Sequence, residues 1–203
     1  SASGTYTVNV TTPPTAILSG TDTICREHSA PLSISFTGTA PWTFAYAANG
    51  VPVDTITTSF NPFTIVVSPT TTTTYTLTSV SSGSCGGSVS GTATIKVNPN
   101  PTVVLSGGGQ ICQSGSGTNL IFTFTGTGPW TVTYKANNDT LTITSPVSPL
   151  ILPVNPNIGT IYKLLEISDS LCVDTAVGQV VVFVFTPANA QFLGSATFCD
   201  SAN

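Results

Sequence analysis

Residues 36–46 read FTGTAPWTFAY and residues 124–134 read FTGTGPWTVTY, so one phrase occurs twice, 88 positions apart. Other landmarks recur at a spacing of 87: Cys25 and Cys112, Tyr75 and Tyr162, Cys85 and Cys172. A fixed period of this kind is the signature of tandem structural modules, each of which is one folding unit. The sequence therefore predicts two copies of a module of about 87 residues.

The same alignment divides the chain into four stretches. Residues 11–98 and 99–185 are the two complete modules, residues 1–10 match the last strand of a module, and residues 186–203 match the first. Because a natural protein rarely begins or ends inside a domain, we expect a longer array. The junctions VNVTTPP and VNPNP are rich in proline, which favours extended backbone and predicts a semi-rigid rod.

Hydrophobicity alternates with period two inside each module, which is the pattern of strands that bury one face. Leu32, Ile34 and Phe36 alternate with serines, and the aligned positions in the second module are also apolar. About seven short strands fit into 87 residues, which is the size and strand count of an immunoglobulin-like β-sandwich. The predicted fold class is all-β, in tandem modules. The predicted core includes Trp42, Trp130, Tyr75 and Tyr162.

The composition excludes several partners. Charged residues make up 6 % of the chain and the formal net charge is −4, so no basic stripe is available to hold a phosphate backbone. We therefore expect no nucleic-acid partner. The longest apolar run, VVVFVF at 180–185, is too short for a bilayer core of about 30 Å, so no transmembrane segment is expected.

The five cysteines follow the repeat. Cys25 lies 60 residues before Cys85, Cys112 lies 60 before Cys172, and Cys199 begins a third set. Without metal-type spacing, this regularity predicts disulfides and an oxidising compartment. One hypothesis pairs Cys25–Cys85 and Cys112–Cys172 within modules. The other pairs Cys25–Cys172 between modules, because in a seven-strand sandwich the first and last loops lie at opposite ends and bridged Cα atoms must lie within about 7 Å. We favour the second, which leaves Cys85, Cys112 and Cys199 to partners that lie mostly beyond these 203 residues, in other modules of the array.

No catalytic or metal site can be assembled from the sequence. His28 is the only histidine and aligns with Gly115, and the pair formed by Cys25 and His28 cannot complete a four-ligand zinc site. A serine triad has no base, and Glu27 and Glu166 are not aligned, so paired carboxylates have no support. We expect no enzymatic activity and no cofactor.

All six aspartates precede Ser or Thr and then a small or aliphatic residue. This pattern resembles the O-glycosylation signal of Bacteroidota, although the abundance of Ser and Thr and the turn preference of Asp offer a simpler explanation. Under the resemblance, glycans would hydrate a surface that has few charges. The candidate acceptors are Thr23, Thr55, Thr140, Ser170, Thr175 and Ser201.

The phrases TICREHSAPLSISFTGTAPWTFAY, NPFTIVVSPTTTTTYTLTSVSSGSC and SVSGTATIKVNP resemble the tandem Ig-like or PKD-like repeats of large Bacteroidota surface proteins, including SprB-like gliding-motility adhesins. The resemblance implies type IX secretion, an extracellular location at the cell surface, and outer-membrane anchoring through regions outside this chain. The second module departs from the pattern, because PTTTTTYTLTSV becomes PNIGTIYKLLEI. This change puts Ile161, Leu165 and Ile167 on the nominally outer face, which could pack on a neighbour.

Three functions remain open at this stage. The leading hypothesis is a structural one, in which the modules form the shaft of an adhesin filament used for adhesion or gliding. Its partners would be neighbouring modules of the same chain and other chains in the filament, with the surface or glycan ligand unknown. A second hypothesis is a carbohydrate-binding module with Trp42 or Trp130 as the sugar platform. A third is a spacer in a large secreted hydrolase.

Overall fold

The computed structural model describes residues 12–113 and 115–187, and every regular element within these ranges is a β-strand. The all-β prediction is confirmed. The described residues form two compact units. Unit 1 comprises residues 12–101 together with 170–173, and unit 2 comprises the described residues of 102–169 and 174–187.

The strands of unit 1 are short and follow one another closely. They are β1 (Thr15–Ser19), β2 (Asp22–Cys25), β3 (Ala30–Thr37), β4 (Trp42–Ala48), β5 (Val51–Thr58), β6 (Phe63–Val67), β7 (Thr73–Ser82), β8 (Cys85–Gly86), β9 (Ser88–Ser90) and β10 (Thr92–Asn98). One sheet has the order β6-β3-β1-β9, and the other has the order β2-β10-β7-β4-β5 with β8 paired to β7. Most neighbours are antiparallel, whereas β1 with β9 and β2 with β10 are parallel.

Unit 2 repeats this architecture with small losses. Its strands are β11 (Thr102–Gly107), β12 (Gly109–Cys112), β13 (Thr118–Thr125), β14 (Trp130–Ala136), β15 (Asp139–Ser145), β16 (Leu150–Val154), β17 (Thr160–Ser168), β18 (Val173–Thr175) and β19 (Gln179–Phe185). One sheet has the order β11-β13-β16, and the other has the order β12-β19-β17-β14-β15 with β18 paired to β17. The order of the larger sheet matches that of unit 1.

The first strand of each module is divided between the two sheets, which the estimate of seven strands did not anticipate. In unit 1 the chain leaves one sheet after β1 and joins the other as β2, and Gly20 lies at the crossing with a φ of 117°. A Cβ on Gly20 would lie 2.7 Å from the Pro31 carbonyl oxygen, a separation that real Cβ atoms do not show. Gly107 occupies the same crossing in unit 2, with a φ of 91°. Glycine is required here by both backbone conformation and space.

Each unit buries its own apolar core between its sheets. The alternation of β3 is borne out, because Leu32, Ile34 and Phe36 are buried while the residues between them are not. The largest fully buried side chain of unit 1 is Phe44 on β4, and that of unit 2 is Phe122 on β13. The repeated apolar positions thus become two separate cores, as the tandem hypothesis requires.

One prediction about the outer face is wrong. A bulge in β17 places Thr133 opposite Glu166 but Tyr134 opposite Leu164, so Leu165 is the extra residue. Because a bulge adds one residue to the strand, the alternation of faces is shifted beyond it. Ile167 therefore turns into the core and is 1 % exposed, whereas Ile161, which precedes the bulge, is 45 % exposed.

Candidate functional site

The repeated phrase forms a packing corner at which β3 ends and β4 begins. In unit 1 the Trp42 ring stacks on Phe36 with a centroid distance of 5.0 Å, and its Nε1–H donates to the Thr37 carbonyl oxygen at 2.9 Å. In unit 2 the Trp130 ring stacks on Phe124 at 5.3 Å. The Trp130 Nε1–H likewise donates to the backbone oxygen five residues earlier, at 2.9 Å. Each indole thus satisfies its donor while packing its ring.

This geometry leaves little for a sugar to stack on. Trp42 is 6 % exposed, and Trp130 is half-buried against the core of unit 2. A carbohydrate platform needs an open aromatic face, because the stacking is between the sugar ring and that face. The corner therefore serves the fold, which is why it recurs wherever the module recurs.

Sequence reasoning missed a clamp on the same corner. The Asn61 side chain accepts from the Phe36 N–H at 3.0 Å and donates to the Phe36 carbonyl at 2.8 Å. In unit 2 the Ser148 hydroxyl accepts from the Phe124 N–H at 2.9 Å and donates to its carbonyl at 3.2 Å. The available signal was that Asn61 and Ser148 each precede a proline that recurs at the repeat spacing. Two different side chains thus satisfy the same backbone group.

A pair of buried tyrosines lies in each core. Tyr75 and Tyr162 are each 6 % exposed, and each has a partner on the neighbouring strand, Tyr46 and Tyr134. Burial raises the pKa of all four phenols, and Asp54 adds to the rise in the pKa of Tyr46. Desolvation disfavours a charged phenolate, so these groups stay neutral at physiological pH. All four tyrosines belong to the hydrophobic cores of the two units.

The structure contains the disulfide Cys25–Cys172, with an S–S distance of 1.98 Å and a Cα–Cα distance of 5.7 Å. Because this bond uses the sulfurs of both residues, the structure does not contain the within-module pairs Cys25–Cys85 and Cys112–Cys172. Cys172 is 3 % exposed, and the Leu171 carbonyl oxygen lies 3.5 Å from the Cys25 sulfur. Residues 170–173 accordingly belong to unit 1, although in sequence they lie in the second copy.

The remaining cysteines have different environments. Cys112 ends β12 as an exposed thiol that is not in a disulfide. Cys85 is half-buried at the start of β8. Cys199 lies outside the described residues, as do the predicted partial strands at 1–10 and most of 186–203.

The candidate glycan acceptors within the described ranges are all exposed; Ser201 lies outside those ranges. Three of them, Thr23 on β2, Thr55 on β5 and Thr140 on β15, stand on edge strands of the larger sheets. The backbone N–H groups of Thr23, Thr55 and Thr175 each donate to the preceding aspartate at 2.7 Å. A bulky or charged group on an edge strand hinders pairing with another sheet. Modification at these residues remains a prediction.

No group of three or more His, Cys, Asp or Glu side chains that could hold a metal ion occurs within residues 12–113 and 115–187. His28 is exposed, and its Nδ1 lies 3.3 Å from the Arg26 carbonyl oxygen. Over the same ranges, no helix is long and apolar enough to cross a membrane.

Two open depressions occur in unit 2. One, of about 280 Å³, is lined by residues 117–119 and 153–155, and the other, of about 500 Å³, lies around Asn137, Asp139 and Tyr162. The Asn137 side chain is already used, because its oxygen accepts from the Ile161 N–H at 2.9 Å. The Thr160 hydroxyl in the second depression is also used, because it donates to the Ile158 carbonyl oxygen at 2.8 Å. No histidine lines either depression.

Comparisons with known proteins agree with this architecture. A sequence model of the family described as "Nucleoporin POM152, Ig-like domain" matches residues 14–95. The solved structure of an I-band fragment of titin, I67–I69, matches with a TM-score of 0.55 and 17 % identity, over 87 % of this chain and 67 % of that one. The fold is immunoglobulin-like, repeated in tandem.

Two further solved structures match the chain. An E-to-A variant of the same titin fragment matches with a TM-score of 0.53 and 16 % identity, covering 86 % of this chain and 64 % of that one. Fibronectin(III)-like modules of Clostridium thermocellum CbhA match with a TM-score of 0.36, 14 % identity and coverages of 82 % and 90 %. No curated protein matches the chain in sequence. At these identities the likeness concerns the fold alone.

Proposed function

We propose that these immunoglobulin-like modules form part of the shaft of a cell-surface adhesin filament, outside the cell, and act by setting its length and tensile strength. The tandem fold and the disulfide support this role, since both suit a chain that carries tension outside the cell. The type IX export route, the outer-membrane anchor and a function in adhesion or gliding belong to the same proposal. They rest on the resemblance in sequence.

The observation that carries the proposal is the span of the disulfide. Cys25 and Cys172 are 147 residues apart, which is the 60-residue spacing within a copy plus one full period of 87. Tension applied to the two ends of the chain passes through the sulfur–sulfur bond and bypasses everything between residues 25 and 172. A filament built in this way keeps most of its length even when the residues between the two cysteines unfold.

Single-molecule force spectroscopy tests this role. The 203-residue chain is held by non-thiol handles at its two ends and stretched with and without a reductant. The oxidised chain should lengthen little, and reduction should release about 500 Å, because 147 residues extend by roughly 3.5 Å each. The Cys25→Ser variant is the matched control and should release this length without reductant.

A contrary result is easy to recognise. If the oxidised chain releases the full length between the two cysteines, the bond does not carry the load and the mechanical role fails. If the oxidised chain and the Cys25→Ser variant give the same traces, the disulfide does not limit extension. Either outcome would leave the modules as simple spacers.

The surface location has its own test. Fab fragments raised against the folded chain should label intact, unpermeabilised cells of the source organism and should reduce their attachment to a solid surface. Labelling that requires permeabilised cells would contradict an extracellular shaft. Labelling without any effect on attachment would favour the spacer of a secreted hydrolase.

We also propose that the exposed Asp-Ser/Thr sites carry O-glycans. Intact glycopeptide analysis of the protein from its source should place sugar on Thr23, Thr55, Thr140, Ser170 or Thr175, all of which are exposed. An unmodified protein would show that the aspartates serve only as local caps. The carbohydrate-binding alternative is weakened by the burial of Trp42, which is 6 % exposed.

A further inference from the structure

Cys112 occupies the same position in unit 2 that Cys25 occupies in unit 1. In the parallel pair of β2 and β10, Cys25 lies opposite Asn98. In the parallel pair of β12 and β19, Cys112 lies opposite Phe185. Paired residues of neighbouring strands point to the same side of a sheet, so each cysteine shares an outer face with the residue opposite it.

In unit 1 this outer position is covered. Residues 170–173 lie there, Cys172 is bonded to Cys25, and Asn98 is only 7 % exposed. The covering segment is the hairpin that precedes β18, and its cysteine is flanked by Leu171 and Val173. The partner of Cys25 is therefore the hairpin cysteine of the next sequence copy, 147 residues away, and not the one 60 residues away.

In unit 2 the equivalent position is uncovered and apolar. Phe183 is 53 % exposed and Phe185 is 51 % exposed, whereas the aligned residues of unit 1 are Lys96 and Asn98. Ile161, on the adjacent strand, adds to the same face and is 45 % exposed. Neighbouring exposed apolar side chains are typical of a surface that another protein segment covers.

We propose that Cys112 forms a disulfide with the hairpin cysteine of the module that follows in the array, and that this module covers Phe183 and Phe185. The inference rests on the proposed role in a longer array, and the disulfide is the contact that would hold neighbouring modules of that array together. Two thiols lose two protons and two electrons to form the bond. The acceptor is a disulfide oxidant, which is reduced to two thiols.

The test adds a following copy of the module to the chain. Cys199 aligns with Cys112, so Asn203 aligns with Ser116 and a copy of residues 117–187 added after Asn203 completes a third module in register. The extended chain is oxidised in a buffer of reduced and oxidised glutathione and mapped as non-reduced peptides. Cys112 should be found linked to the added copy of Cys172, with Cys25–Cys172 as the internal reference. Replacing the added cysteine by serine should leave Cys112 open to alkylation.

A second extended chain guards against failure of the added module to fold. Here the addition is a copy of residues 30–100, which aligns after Asn203 and provides a hairpin with a copy of Cys85. Cys112 should be linked to that added cysteine. The proposal is overturned if Cys112 stays open to alkylation in both extended chains, or if it is linked to a cysteine other than the added hairpin cysteine.

Hydroxyl-radical footprinting tests the covering of the face. Oxidation of Phe183 and Phe185 should fall severalfold in the linked chain relative to the 203-residue chain. Phe60, which is 75 % exposed in unit 1, should react equally in both and is the matched control. If the link forms while both rings remain reactive, the covered face is overturned. The mechanical test uses Cys25–Cys172 in the original chain, so the two proposals fail independently.

Discussion

Each unit has one fully buried phenylalanine at one of two aligned core positions, but the two units place it on different sheets. In unit 1 the smaller sheet contributes Ile34 and the larger sheet Phe44, whereas in unit 2 the aligned residues are Phe122 and Val132, all 0 % exposed. The phenyl ring has moved from one sheet to the other. Because interiors are packed at nearly constant density, a gain in volume on one sheet is balanced by a loss on the other.

The outer faces show no such balance. In unit 1, Thr74 and Thr94 lie opposite each other and their hydroxyls are 3.1 Å apart. In unit 2 the same positions hold Ile161 and Val181. Packing constrains the core of every copy, while the outer face can be fitted to its surroundings. The unbalanced difference between the copies therefore lies on this outer face.

Truncation of the exchanged core residues should cause the greatest loss of stability. Phe44→Ala should lower the free energy of unfolding of unit 1 by about 3–5 kcal/mol, because a fully buried ring is lost and a cavity remains. Val132→Ala, at the aligned position, removes fewer atoms and should have a smaller effect on unit 2. Hydrogen exchange read from peptides of each unit gives both values. Equal losses would contradict the expectation that the loss of stability grows with the side-chain volume removed.

A second set of variants copies the core arrangement of unit 2 into unit 1. Phe44→Val alone should destabilise unit 1, and adding Ile34→Phe, which reproduces the arrangement of unit 2, should recover most of the loss. Ile34→Phe alone should overpack the core by about 1–3 kcal/mol. A double variant that is no more stable than Phe44→Val would contradict the exchange of volume.

Alanine substitutions at the two glycine crossings should cause the next largest loss of stability. A Cβ at Gly107 would lie 2.2 Å from the Asn119 carbonyl oxygen, while a Cβ at Gly20 would lie 2.7 Å from that of Pro31. Both alanine variants must also hold a positive φ, which costs on the order of 1–3 kcal/mol. Thermal unfolding should therefore show a larger loss for Gly107→Ala than for Gly20→Ala. Gly50→Ala, which has a positive φ but open space, isolates the backbone contribution.

Alkaline pH should lower the stability of the two units to different extents, and this difference should be smaller than the effects above. The raised pKa of each core tyrosine means that the neutral phenol stabilises the fold fully below about pH 10 and that this stability is lost as pH rises through the folded pKa. Tyr46 lies opposite Asp54, whereas Tyr134 lies opposite Leu141. Asp54→Leu should therefore reduce the alkaline sensitivity of unit 1. Hydrogen exchange of each unit between pH 9 and 11 measures this, and an unchanged profile for unit 1 would exclude the carboxylate as a cause.

The smallest change in stability is expected on the outer face. Ile161→Thr with Val181→Thr copies unit 1 and should alter the free energy of unfolding by no more than about 0.5 kcal/mol, since surface changes are usually mild. The same variant should bind less of an apolar-surface dye. Thr74→Ile with Thr94→Val is the reciprocal variant and should bind more. Dye binding that does not follow these exchanges would mean that the outer faces do not differ in exposed apolar surface.

Much of the fold could be predicted from the sequence, because the burial of a strand residue follows the local alternation of apolar and polar side chains. The alternation through Leu32, Ile34 and Phe36 identified the buried face, and the recurrence of Trp42 as Trp130 identified the corner. The faces of β17 could not be predicted, because the bulge at Leu165 shifts the alternation and leaves no mark in the order of residues. The division of the first strand at Gly20 was missed for a similar reason, since a single glycine does not reveal which sheet follows it.

The order of residues was enough to predict that a β-module recurs, that Leu32, Ile34 and Phe36 face its core, and at what spacing its cysteines recur. The folded chain was needed to show that Cys25 bonds to Cys172 and that Phe183, Phe185 and Cys112 share one face. The two kinds of feature differ in range, because in a regular strand the side to which a residue points depends on its immediate neighbours. A bond between residues that are 147 positions apart depends instead on where the end of a strand and a distant hairpin meet in space.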